Sequence, residues 1–289
     1  MYNRFILKML DNDPAKVITP YGIRWRRLIH PLLVKVVPLL LKRKLVILRQ
    51  DPLPDCPVIF ASTHGFGEDA ATAVAITDRP SFMVNGSPKQ LLYSFDGISA
   101  WAIGSIVLDR SDNASRAASK AKMLRALKLG SDVIIYPEGT WNKSPNGLMN
   151  PLFPGVYDVA KESGAPVVPI ASVLVDDHIY GIRGTAFDIT QFDRTEGLAV
   201  LRDKLATLRW EVMEQHSHAS RDDLPRGEAA EEYWKNHIDS LMVEVEFYDY
   251  ELEKHTKFVD KSITEPGDAF SHLEKLIPRR ENAFLFRKN

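Results

Sequence analysis

The chain has a single cysteine, Cys56, among 289 residues. That excludes an internal disulfide framework and any cysteine-rich metal site, and it fits a reducing compartment. Internal repeats and low-complexity tracts are also absent, so solenoid, collagen-like and disordered architectures fall away. There is no long uninterrupted apolar run. The longest nearly uncharged stretch, Leu28 to Leu41, is broken by His30, Pro31, Lys35 and Pro38 and is shorter than the roughly 20 residues that span a bilayer. The first residues, MYNRFILKMLDNDPAKV, meet acidic residues and a proline before an apolar core forms, which argues against a secretory signal.

One stretch lacks acidic residues. Between positions 22 and 50 there are eight Lys or Arg and no Asp or Glu, whereas from Glu211 onward 18 acidic residues face 11 basic ones. The overall net charge of -1 conceals this asymmetry. An apolar segment with Trp25 among arginines and the Lys42-Arg43-Lys44 cluster suits a helix lying in the headgroup region of an anionic leaflet. A core helix with a basic solvated edge is the alternative. The expected location is the cytoplasmic face of a membrane, peripheral or monotopic.

What is present is the composition of a full globular core, with 45% hydrophobic and 26% charged residues. From Pro57 the chain alternates β-rich runs with helical stretches. The runs 57–62, 81–85, 105–109, 132–136 and 165–175 are rich in β-branched and aromatic residues and bounded by Gly, Pro, Asn or Asp. A helix is expected after Ser111, Asp112 and Asn113, with Ala117, Ala121, Leu124 and Leu127 on its apolar face and Gly130 as its stop. This pattern predicts an α/β fold, a mostly parallel sheet flanked by helices, with N-terminal interfacial helices and a helical C-terminal extension. Segments 1–50, 51–197 and 198–289 are read as a basic-apolar membrane segment, the α/β core and the charged extension. Within the extension, Asp222 to Gly227 reads as a linker, residues 243–253 carry a late β signal, and Trp234, Tyr248 and Tyr250 read as packing aromatics.

Three polar clusters each follow an expected strand: THGFGED from Thr63, DRSD from Asp109 and PEGTWN from Pro137. In a parallel sheet such clusters meet at the carboxyl edge of the strands, where ligands bind. His64 and Asp69, with two glycines between them, can fold so that the carboxylate holds one imidazole nitrogen while the other faces a cleft. A substrate hydroxyl would then serve as nucleophile. Such a pair is also common in ordinary turns. Glu138 and Gly139 form a turn beside exposed amides that could hold a polyol or phosphate, and Thr140 could cap a following turn. Arg110 is an anion clamp or a salt-bridge partner.

Taken in order, His64-x4-Asp69, GSIVLDR (104–110), YPEGT (136–140) and VVPIA (167–171) resemble the four sequence blocks of the glycerolipid acyltransferases. That family includes the 1-acylglycerol-3-phosphate acyltransferases. The resemblance covers roughly residues 57–190 and implies transfer of a fatty acyl group from acyl-CoA or acyl carrier protein, as co-substrate, to a lysophospholipid hydroxyl. On this basis His64 is the base and Asp69 its orienter. Arg110 would contact the acceptor's phosphate, Glu138, Gly139 and Thr140 would form the acceptor pocket, and Val168 to Ile170 would shape that pocket or an acyl tunnel. It implies no metal, no other cofactor and no nucleic-acid partner, and an anionic membrane surface as docking site.

Two positions depart from the family pattern. Trp141, followed by Asn142 and Lys143, stands where an arginine usually follows the threonine, and Leu108 stands where an aromatic residue or isoleucine is common. The first weakens the case for a phosphorylated acceptor, since Lys143 offers a point charge and no bidentate fork. A hydrolase sharing the same base, and a membrane-surface binder without turnover, are the rival classes.

Overall fold

A computed structural model describes residues 8–86, 96–110, 112–142, 148–216 and 225–243. The calls on residues 222–224 of the linker, on Ser111, Lys143, Tyr248 and Tyr250, on the side chain of Trp234 and on nearly all of the late β signal lie outside these residues. A short helix, α1 (Pro14–Val17), precedes α2 (Pro20–Leu40) and strand β1 (Lys44–Gln50). Then follow β2 (Ile59–Ser62), α3 (Asp69–Thr77), β3 (Ser81–Asn85), α4 (Asp96–Ile103), β4 (Ser105–Val107), α5 (Asn113–Lys128) and β5 (Asp132–Ile135). The rest comprises α6 (Gly155–Ser163), β6 (Val167–Val175), β7 (His178–Arg183), α7 (Arg194–His216) and α8 (Glu228–Val243).

The seven strands form one sheet in the order β1-β7-β6-β2-β5-β3-β4. All pairings are parallel except β6 with β7. The α/β reading with a mostly parallel, helix-flanked sheet is therefore what the chain adopts. Alternation along β2 explains how it is covered: Ile59 and Ala61 join the cluster built with α5, α6 and α7, whereas Phe60 and the adjoining Val58 join the one built with α3. Both faces of β2 are buried, as a central parallel strand requires.

Two features of the sequence reading are corrected. The buried face of α5 is wider than expected: Leu127 is buried and Leu124 packs against the core, but Ala118, Ser119, Lys122, Met123 and Ala126 are buried beside them and Ala117 is exposed. The aliphatic stem of Lys122 makes this face possible, and its ammonium reaches the Met9 carbonyl. The cap is Asp112, whose carboxylate accepts from the Ala114 and Ser115 amides. Val168 and Ile170 are fully buried in the α3-side core, where β6 pairs with β2, and they line no open pocket among the described residues.

The basic stretch 22–50 divides into two. Its first part is α2, which buries Ile23, His30 and Val37 and exposes Tyr21, Trp25, Leu28, Leu32, Leu39 and Leu40. Its last part is β1, an edge strand paired with β7. Among the described residues no helix is long and apolar enough to cross a membrane. Position 197/198, the expected boundary between core and extension, lies inside α7, whose Leu201, Leu205, Leu208 and Val212 are buried against the sheet and its flanking helices.

Candidate active site

The loops after β2, β4 and β5 leave from the same edge of the sheet. The loop after β2 carries His64, and α3 begins at Asp69. An imidazole nitrogen of His64, Nδ1, lies 2.6 Å from Asp69 Oδ2. The same oxygen accepts from the amides of Gly65 at 3.0 Å and Phe66 at 3.3 Å. With three N–H groups around one oxygen, and a place in the first turn of α3 where the helix dipole favours negative charge, Asp69 is held as a carboxylate acceptor. That carboxylate requires the proton on Nδ1 and leaves the Nε2 lone pair available. Asp69 is buried, whereas the His64 side chain retains 24% exposure. The pair thus has a closed side and an open side.

Rings pack around the imidazole. The Tyr136 ring lies tilted against His64 with centroids 4.5 Å apart, and Trp141 meets it edge-on at 6.0 Å. The Tyr136 hydroxyl donates to the Asp69 carbonyl at 3.3 Å. Burial pushes the Tyr136 phenol well above its ordinary value, with the Asp69 charge adding to the rise. Tyr136 therefore stays neutral and acts as a wall. The sequence reading assigned it no role, although it opens the YPEGT block.

Glu138 is 1% exposed. One carboxylate oxygen accepts from the His64 amide at 3.3 Å and the other from the Asn150 amide at 2.8 Å. Burial holds its carboxyl up at about 7, against the opposing pull of the Asn150 amide, the Arg209 charge and His64. The side chain thus faces backbone amides of the site's own loops, away from the open cleft. Asn142 completes the link by donating its amide to the His64 carbonyl at 2.8 Å.

Gly139 has a φ of 66°, in the left-handed region, and a Cβ there would lie 2.5 Å from the Phe153 ring. Only glycine fits without a shift. Its carbonyl accepts from Arg110 Nη1, so the second and third blocks meet directly. Thr140 lies half-buried beside this contact, and no helix follows it through Asn142 for it to cap. His64 thus contacts Asp69 and, through its backbone amide, Glu138, while Arg110 contacts the adjoining Gly139, all at one edge of the sheet. Among the described residues, no group of three or more His, Cys, Asp or Glu is placed to hold a metal ion.

Residues 44–173 match the family model described as Acyltransferase. A chloroplastic 1-acyl-sn-glycerol-3-phosphate acyltransferase, BAT2, from Brassica napus is 29% identical over 122 residues, covering 41% of this chain and 33% of that protein. The Salmonella typhimurium 1-acyl-sn-glycerol-3-phosphate acyltransferase is 27% identical over 113 residues, covering 39% of this chain and 45% of its own length. The chain thus spans less than half the length of these curated relatives. The crystal structure of PlsC, the 1-acyl-sn-glycerophosphate (LPA) acyltransferase from Thermotoga maritima, superposes with a TM-score of 0.52 at 18% identity, covering 76% of this chain and 90% of that one. That likeness establishes a shared fold. Residues 44–173, which hold every element of the site from His64 to Gly139, are the segment that is similar to the acyltransferase family model.

Proposed function

We propose that the protein transfers a fatty acyl group from a thioester, acyl-CoA or acyl carrier protein, to a lysophospholipid hydroxyl. The best-supported acceptor is 1-acyl-sn-glycerol-3-phosphate, giving phosphatidate. The observation that carries this reading is the 2.6 Å contact between His64 Nδ1 and buried Asp69, which leaves the other imidazole nitrogen available at the partly exposed side of the ring.

The chemistry follows from that contact. His64 Nε2 takes the proton of the acceptor hydroxyl as its oxygen attacks the thioester carbonyl carbon, forming a C–O bond and a tetrahedral oxyanion. Collapse of that intermediate breaks the C–S bond. The imidazolium returns its proton to the departing thiolate, so the products are an ester and a free thiol. A positioned base of this kind contributes on the order of 10²- to 10⁴-fold, and holding the two substrates in register contributes more. The step as written uses no metal and no cofactor beyond the thioester co-substrate. Arg110, tied to Gly139, is assigned to the acceptor's phosphate.

A second acceptor class is favoured by one observation. Trp141 places an apolar ring 6.0 Å from His64, at the position where the family pattern has an arginine. A monoacylated acceptor without phosphate suits that wall better. Radiolabelled palmitoyl-CoA offered with lysophosphatidate, and separately with monoacylglycerol, distinguishes the cases. Labelled phosphatidate supports the first reading, labelled diacylglycerol the second, and free fatty acid alone a hydrolase.

The reading places the reaction at the cytoplasmic face of a membrane, with α2 as the docking element. Arg24, Arg27 and Lys35 are exposed along the same helix as Trp25, Leu28 and Leu32, the combination that binds anionic lipid surfaces. Vesicle sedimentation tests it: wild-type protein should pellet with anionic vesicles, and Trp25→Ser with Leu28→Ser and Leu32→Ser should not. Equal binding to neutral vesicles would defeat the assignment. Deleting residues 22–50 is the wrong test, because β1 belongs to the sheet.

A further inference from the structure

The helix α7 lies beyond the matched segment 44–173, and the sequence assigned it no chemistry. It carries Arg202 and Arg209, seven residues apart and therefore on one face. Arg209 Nη1 donates to the Leu148 carbonyl at 2.8 Å, and Arg202 Nη2 donates to the Met149 carbonyl at 3.1 Å. The next residue along, Asn150, donates its amide to Glu138 Oε2 at 2.8 Å, and Glu138 Oε1 accepts from the His64 amide at 3.3 Å. Each of these bonds joins a different chain segment to its neighbour. The series runs without interruption from α7 to the backbone of His64.

We propose that Arg209, supported by Arg202, is a positioning residue that sets the His64 imidazole through Glu138 and the 148–150 turn. Three consecutive residues are held at once, two by their carbonyls and one by its amide, which leaves the turn little freedom to slide along Glu138. The Nε of Arg209 is buried with no hydrogen-bond partner among the described residues. A buried guanidinium atom left without an acceptor costs stability, and the electrostatic attraction between Arg209 and Glu138 offsets part of that cost. The arrangement is explained if the Glu138 carboxyl, which accepts from both amides, is what the guanidinium serves. The charged groups facing Glu138 among the described residues are Arg209 from α7 and His64 from the loop after β2.

The inference rests on the acyl-transfer reading, so the first readout does not use activity. The His64 Cε1–H resonance is identified in proton NMR spectra by its loss in His64→Ala. Arg209→Met should displace that resonance in the wild-type background and leave it unmoved in a Glu138→Gln background. In the palmitoyl-CoA transfer assay, Arg209→Met should lower kcat roughly ten- to a hundredfold, with KM for the thioester within about twofold, since a small misplacement of a base acts on the chemical step. Arg209→Lys should recover most of the rate. Arg202→Ala, at the more exposed of the two arginines, should give the same pattern with a smaller loss, and it decides the matter if Arg209→Met does not fold. A His64 resonance that ignores both arginine substitutions, or that responds to Arg209→Met equally with and without Glu138, overturns the proposal. Responding resonances in a protein without transferase activity support the positioning network and refute the functional reading.

Discussion

The two edges of the sheet use the same ingredients to opposite ends. At the amino edge, Asp132 opens β5 and is almost fully buried. Its Oδ1 accepts from the Val58 amide at 2.8 Å and from Arg79 Nη2 at 3.2 Å, and its Oδ2 pairs with Arg79 Nε at 2.8 Å. Arg79 also donates to the Pro54 and Cys56 carbonyls. Charge and donors close on one another, and the result is a tie. At the carboxyl edge Asp69 and Glu138 are as deeply buried, but their partners are backbone amides and one imidazole. The imidazole has a second nitrogen. In the proposed function the Asp69 carboxylate has a role because its partner is bifunctional and half-sheltered, whereas the guanidinium forked onto Asp132 serves as a tie.

If that contrast is right, substitutions at the two edges should have crossed effects. Asp69→Asn keeps an oxygen for the Gly65 and Phe66 amides but no longer requires the proton on Nδ1. Transfer should fall on the order of 10²- to 10⁴-fold with little change in melting temperature, measured by product formation and calorimetry on the same sample. Gly139→Ala places a methyl against Phe153 at a positive φ and should cost roughly 1 to 3 kcal/mol in urea unfolding, together with activity. Asp132→Asn should act in the reverse sense to Asp69→Asn, lowering stability and sparing kcat.

The pH dependence of stability distinguishes the edges further. Burial raises Glu138 from 4.5 to about 7 and Asp132 from 3.8 to about 6. In each case the native state keeps its proton after the unfolded chain has lost it. The contribution is therefore most favourable below the unfolded value and declines as pH rises to the native one, by on the order of 3 kcal/mol for each group. Glu138→Gln should remove the decline between about 4.5 and 7, and Asp132→Asn the one between about 4 and 6, in denaturation curves compared with wild type across that range. The smallest effect expected is that of Asp112→Ala, the loss of the α5 cap, at about 1 kcal/mol with transfer unchanged.

The central fold was legible because five strands carry β-branched runs bounded by turn residues, and their order with intervening helices dictates a parallel sheet. β1 and β7 were not. Lys44, Arg49 and Gln50 are exposed on an edge strand and read as part of a basic segment, while β7 combines His178, Gly181 and Arg183 in six residues. Lys122 hid the buried face of α5 for a related reason, since a long stem buries apolar carbon beneath a charge.

Within the site, the His64 and Asp69 spacing sufficed, because the intervening loop has only to fold back onto the first turn of α3. Glu138 did not reveal its direction. A carboxylate in a turn reads as solvent-facing, and its burial depends on Asn150 and on α7, which no local pattern connects to it. Arg209 had no signal beyond its seven-residue spacing from Arg202, and that spacing names a face without naming what the face touches.

The account turns on His64 as the proton acceptor. His64→Ala should retain the wild-type melting temperature and lose transfer from labelled palmitoyl-CoA by about 10²- to 10⁴-fold. A folded His64→Ala protein that transfers acyl groups at the wild-type rate would contradict it.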